Sequence, residues 1–336
     1  MDSITHGIAG AAIGRLGFNE KLGGWETLAG AVFGLFPDTD YILTFFGERT
    51  YLAYHRSFTN SLVFLIPFAL SLAFFFTKVS RERRWFWTFF SLAMLELLFH
   101  DVLDLMTSFG TMLFYPLSTH RYSTDTLFII DLVVTGLFVA PLVLSYVYKK
   151  HHKVILRTAF FLFIVYAGTC EFYHTRAVAL ARNFALLSGL PFHGVAALPQ
   201  PFSPFRWSNL VETDTEMYQG FVDFAKKPGR MEKDLPSGFW QRFNAQYRPS
   251  ARMHYMVWRK IDDSPWAEKA MNLESARFFY RLARFPVVRS YGVVNGHHMV
   301  EFIDLRFRMV EGLHPLTYQV EFDDTGKVVR EGFTQM

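Results

Sequence analysis

The sequence predicts a polytopic α-helical membrane bundle, four long helices plus a short N-terminal helical hairpin, followed by an α+β soluble domain containing an antiparallel sheet. Three observations predict it. Apolar runs of bilayer-crossing length crowd into residues 1–176. Two basic clusters separate the first of those long runs from the second and the third from the fourth. Beyond them, residues alternate apolar and polar with strand period.

The elements follow in order. Ile4–Leu16 and Thr27–Phe36 are apolar but short; at 1.5 Å per residue each reaches only about 15–20 Å. They suit a hairpin turned at Gly17, Gly23 and Gly24. Ser61–Thr77, Trp85–Met106, Thr126–Tyr148 and Val154–Tyr173 are the four long helices. Lys78, Arg81, Arg83 and Arg84 separate the first two, and Lys149, Lys150, Lys153 and Arg157 the last two. The positive-inside rule sets both loops in the cytoplasm. His55, the ends carrying His100 and Asp104, and Asp125 with Asp131 then fall on the outer side. If the hairpin turns inside, near Arg15 and Lys21, His6, Asp38 and Asp40 join them.

Residues 177–204 read as a linker, with Pro and Gly concentrated over Leu190–Pro204. The extracytoplasmic domain is 205–336. Arg206–Glu212, Met217–Phe224, His298–Phe307, Tyr318–Phe322 and Lys327–Arg330 have strand character, and Ser264–Arg284 has helical character.

Composition narrows the function. Hydrophobic residues make up 51% and charged ones 19%, and a net charge of +4 without an aromatic-laced basic stripe argues against nucleic acid. The single cysteine, Cys170, excludes an intrachain disulfide and a Cys-based zinc cluster. Met1-Asp2-Ser3 lacks the basic start of a cleaved signal peptide.

The chemistry concentrates in ionisable residues at membrane depth, which usually pair, bind ions or work. Glu96, His100 and Asp104 recur at i, i+4 and i+8 and share one helix face. His6, Asp38, Asp40 and His55 supply partners from other helix ends. Neutral imidazole and carboxylate are ligands common to zinc, iron and manganese. This points to one or two divalent ions, with His6, Asp38, His55, His100 and Asp104 as ligands. The structural alternative is interhelical hydrogen bonding and capping. Glu96 or Asp40 is the candidate base. Arg56 is either an anion clamp or a headgroup-snorkelling side chain. Asp2, Thr59, Asn60, Asp101 and Asp131 are supporting groups around the ligands, Asp2 with an alternative as helix cap. Asp125 reads as a capping carboxylate. His151, His152, His297, His298 and His314 are expected to be exposed or structural.

Met1-Asp2-Ser3-Ile4-Thr5-His6, Pro37-Asp38-Thr39-Asp40, His55-Arg56-Ser57-Phe58-Thr59-Asn60-Ser61 and His100-x-x-x-Asp104 with Thr107-Ser108-x-Gly110 resemble the YdjM-like family of membrane-bound metal-dependent hydrolases. The tail, with Arg206-Trp207 and Asp304-Leu305-Arg306-Phe307, is similar to that of longer members. Asn60 departs from the family's pattern, where a second histidine stands. A fainter similarity links the ligand pattern to zinc-dependent phospholipase C.

The resemblance implies a bacterial inner-membrane hydrolase using a divalent metal, zinc foremost. Membrane lipids surround it, and a phosphoester or lipid-linked substrate is the implied target. The competing class is a non-enzymatic metal-binding membrane protein or ion transporter.

Overall fold

The computed structural model describes residues 1–18, 20–229, 238–260, 262–294, 296–308 and 316–334. His314 lies outside them. Two compact units divide between Glu171 and Phe172.

The first unit opens with α1 (Ser3–Phe18) and α2 (Glu26–Leu35), the expected hairpin. Glycines let the two backbones touch. A Cβ on Gly10 would strike the Gly30 carbonyl, and one on Gly34 would lie 2.7 Å from the His6 carbonyl. Small residues at such crossings are how helices approach closely in lipid. A 3₁₀ stretch, Pro37–Phe46, and α3 (Glu48–Tyr54) follow. Then come α4 (Leu65–Ser80), α5 (Phe86–Leu105), α6 (Leu132–Val147) and α7 (His152–Leu187). Phe33, Phe76 and Phe89 interlock edge to face or tilted at the centre of the α2, α4 and α5 packing.

Helices occupy all four expected places, but among the described residues only two have the length and apolarity to cross a membrane alone, Arg83–Leu105 and Lys149–Leu187. A third crossing arises if Glu48–Asn60 and Leu65–Ser80, bent by 79°, form one broken span. Both shortfalls have a polar cause. Ser61 and Leu62 are drawn off to the carbonyls of Tyr115 (2.6 Å) and Leu113 (2.9 Å), so α4 starts late. Asp131 accepts from Val133 N–H (2.9 Å) and Val134 N–H (3.2 Å), which fixes the start of α6 there instead of at Thr126.

The unit has two distinct ends. Lys153 reaches Glu20 at 2.6 Å, Trp85 packs on Gly23, and Tyr146 bonds Thr27 at 2.9 Å. The hairpin turn therefore lies with the basic loops, and His6, Asp38 and His100 gather at the opposite end.

In the second unit the residues expected as linker hold the last turns of α7 and strand β1 (Gly194–Pro199). Ala177, Ala181 and Ala185 recur every four residues and are fully buried against Ala197, Trp207 and Val211. The remaining elements are β2 (Arg206–Glu212), β3 (Glu216–Asp223), α8 (Phe239–Gln246), β4 (Met256–Arg259), α9 (Pro265–Met271), α10 (Glu274–Leu282), β5 (Pro286–Val294), β6 (His297–Asp304), β7 (Thr317–Phe322) and β8 (Val328–Phe333). They form two four-stranded antiparallel sheets, β1-β2-β3-β4 and β5-β6-β7-β8, where one sheet was expected. The two-residue period identifies strands but carries no record of which edges pair.

At the end of β6, Asp304 is a fully donated carboxylate. It accepts from the backbone N–H of Arg284 (3.1 Å), Phe285 (3.4 Å) and Arg306 (3.0 Å), and from Arg306 Nε (2.7 Å).

Candidate metal centre

His100 and Asp104 sit one turn apart on α5 and face inward, 1% and 0% exposed. His100 Nε2 lies 3.2 Å from Asp104 Oδ2. The α1–α2 glycine contacts bring His6 to the same place, with Nε2 3.1 Å from Asp104 Oδ1. The two imidazoles stack, centroids 3.6 Å apart and planes 16° from parallel. Asp38 approaches from the 3₁₀ stretch, its Oδ1 3.7 Å from His100 Nε2. His6, His100 and Asp104 each offer a ligand atom within 4.8 Å of the others.

Asp104 is the hub. Arg56 Nη2 stands 2.9 Å from Oδ1, Asn60 Nδ2 donates to Oδ2 at 3.1 Å, and the Met1 amino group bonds Oδ1. Thr107 closes the ring: its hydroxyl donates to the Asp104 carbonyl (2.8 Å) and accepts from Arg56 Nη1 (2.8 Å). Arg56 holds a left-handed backbone, φ 57°, uncommon for a side chain of its size. Its N–H donates to Asp40 Oδ2 (2.8 Å) and its carbonyl accepts from Met112 N–H (2.9 Å), which hold that conformation.

The donor set fits a divalent cation. His100 Nδ1 meets the Gly34 carbonyl at 2.7 Å, and a carbonyl only accepts, so Nδ1 carries the proton. In the neutral ring Nε2 then presents a lone pair. It makes no hydrogen bond, although two carboxylates lie within 4 Å. A lone pair beside two carboxylates can share a cation, and Asp104 already meets the Arg56 guanidinium and the Met1 amino group. Ligands at about 2.1 Å around a tetrahedral ion stand about 3.4 Å from one another. The nitrogen-to-carboxylate contacts here, 3.1 Å to Asp104 Oδ1, 3.2 Å to Asp104 Oδ2 and 3.7 Å to Asp38 Oδ1, lie near that spacing. The Nδ1 to carbonyl bond is also the partner that metal-bound histidines usually have.

Other expected site residues fall elsewhere. His55 is absent from the convergent group and pairs with Asp40, Nδ1 lying 3.1 Å from both carboxylate oxygens. Glu96 lies one turn below His100, its carboxylate against Gly10 and Gly30 at the helix crossing, with Oε1 buried and unbonded. Asp2 accepts from Thr5 N–H (3.0 Å) and hydroxyl (2.7 Å), the capping arrangement. Asp131 caps α6 and accepts from Tyr166 (2.8 Å). Thr59 donates to Asn60 Oδ1 (3.2 Å), and Asn60 also reaches Asp101. Arg121 covers carbonyls at the end of α3, those of Leu52, Ala53 and His55.

Two contributors escape a reading by residue type. Thr107 belongs to the Thr107-Ser108-x-Gly110 run, whose position after Asp104 was its only signal. Gly34 contributes a carbonyl, which no side-chain pattern marks.

A bundle of apolar helices with a buried histidine–carboxylate cluster at one end defines a membrane protein with a candidate metal centre. The chain belongs to the YdjM inner membrane protein family, whose model matches residues 1–177. That stretch contains every residue of the cluster. No curated protein and no solved structure matches the chain, so the similarity to zinc-dependent phospholipase C gains no support there.

Proposed function

We propose that the protein is a metal-dependent hydrolase of the bacterial inner membrane, acting on a phosphoester or lipid-linked substrate at the outer face. One observation carries the reading: His100, its proton fixed on Nδ1 by Gly34, aims a lone pair at Asp104 and Asp38. His6, His100 and Asp104 are the ligands, with Asp38 beside them. A bound divalent ion, zinc or alternatively manganese or iron, would polarise the scissile oxygen and acidify water.

The chain's own groups supply the rest. Asp104 neutralises cationic charge and is held in place by Asn60 and Thr107. His55, its Nδ1 on Asp40, keeps Nε2 for a proton, and its side chain is 15% exposed. That suits it to proton transfer better than Glu96, which ends at the glycine crossing. The basic loops lie at the end of the bundle opposite the cluster, which supports an outward-facing site under the positive-inside rule. A site near headgroup level receives a lipid-linked substrate laterally.

The test is metal analysis of detergent-purified protein beside His100→Ala, followed by screening of phosphodiester and lipid substrates. Stoichiometric metal, lost in a folded variant, is expected. No metal in the wild type after reloading would sink the reading. Metal without turnover would favour the alternative of a metal-binding protein or ion transporter.

A further inference from the structure

A cavity of about 430 Å³ opens in the C-terminal unit along β4 and β5, edge strands of the two sheets. Its size lies within the range of small-ligand sites. Among the described residues its lining is cationic: Arg259, Arg289 and Arg308 with one carboxylate, Asp262. Asp262 is occupied as a brace, accepting from Ser264 N–H (2.8 Å) and Ser290 N–H (3.2 Å). Three guanidinium groups with one carboxylate leave the described lining net positive.

The three arginines differ in freedom. Arg308 is only 4% exposed and is fixed over the rings of Phe221 and Trp258, with Nη1 donating to Gln219 Oε1 at 3.3 Å. Gln219 is itself fully buried and tied to Ser208 at 2.9 Å. Arg308 Nη2 also contacts Met256 Sδ at 3.7 Å, so this guanidinium is a fixed positive charge on the cavity wall. Arg259 pairs with Asp263 at 3.7 Å, both side chains well exposed, a contact readily exchanged for a ligand. Arg289 lies over Tyr291, 4.4 Å from the ring centroid. Ser290 lines the same cavity with a buried Oγ that makes no hydrogen bond, a further donor for an oxyanion. Trp258, Val288 and Met256 supply an apolar wall.

We infer that this cavity binds a small organic oxyanion, a phosphate or carboxylate head on a compact apolar body. The head sits among the arginines and Ser290, and the body against Trp258 and Val288. The site is lined by residues of the C-terminal unit alone and draws on none of His6, His100 or Asp104.

The test is calorimetric titration of the full chain in detergent with phenyl phosphate, inorganic phosphate and benzyl alcohol. It is run in the His100→Ala background, so that the metal centre is not what is read. Saturable phenyl phosphate binding at about 1 mM or tighter is expected. Arg308→Gln and Arg289→Ala should each weaken it about tenfold. Arg289 is exposed, so its variant is decisive even if Arg308→Gln unfolds. Three results would overturn the inference: no saturable binding, binding indifferent to Arg289→Ala, or inorganic phosphate binding as tightly as phenyl phosphate.

Discussion

Asp104 and Asp304 are both buried carboxylates beside an arginine, yet their partners differ in kind. Asp304 is surrounded by groups that can only donate: three backbone N–H groups and the Arg306 guanidinium. It ties the end of β6 to the segment entering β5. Asp104 also has an arginine, but two of its neighbours are imidazole nitrogens, which can present a lone pair to a cation. A buried charge alone says little about function. The exchangeability of its partners is what separates a brace from a binding site.

Substitutions can break this comparison. Asp304→Asn removes half of a buried ion pair, and we expect a loss of about 3–5 kcal/mol in the stability of the C-terminal unit, read by denaturant titration. Metal content should be untouched; a parallel fall would mean the two carboxylates are not distinct in kind. Asp104→Asn should do the reverse, weakening metal affinity by about 100-fold or more, because losing a supporting group alone costs 10–100-fold. Competition with a chromogenic chelator measures it.

Arg56→Gln sharpens the contrast. Arg56 and a bound ion would compete for the same carboxylate, so under the proposed function removing the guanidinium should tighten metal binding by about tenfold. Arg56→Lys should recover part of the wild-type value. Weaker binding in Arg56→Gln would mean that Arg56 holds the site open rather than competing for it.

The smallest effect belongs to an exposed aspartate. Hydrogen bonds from Thr325 and the Lys327 N–H hold the Asp323 carboxyl below its ordinary value. A depressed carboxyl stabilises fully above its unfolded pKa, and the contribution fades as pH falls through the folded value. The turn between β7 and β8 should therefore loosen only below about pH 4, seen as faster exchange of the Lys327 amide after correction for intrinsic rate.

The sequence reveals some of this more readily than the rest. Arg206–Glu212 has strand content along its whole length, and β2 has those bounds. His100 and Asp104 are visible because i, i+4 spacing on an apolar helix leaves few geometries open. His55 has the right chemistry for a ligand, but its Nδ1 is taken by Asp40, fifteen residues away, a pairing that the intervening 3₁₀ stretch and α3 create. β4 is four residues long, too short for its period to stand out. The lengths of α4 and α6 depend on hydrogen bonds to other loops or to a capping carboxylate, and hydropathy is blind to both.

The glycine contact between α1 and α2 has an electronic side. The Cα of Gly34, whose carbonyl fixes the His100 proton, packs so close to the His6 carbonyl that there is no room for a methyl group between. A methyl added at Gly34 would push the carbonyl out of reach of Nδ1 and let the imidazole proton migrate to the nitrogen that faces Asp104. A change that adds only one carbon, and touches neither histidine, would then turn a lone pair into an N–H and close the site to cations.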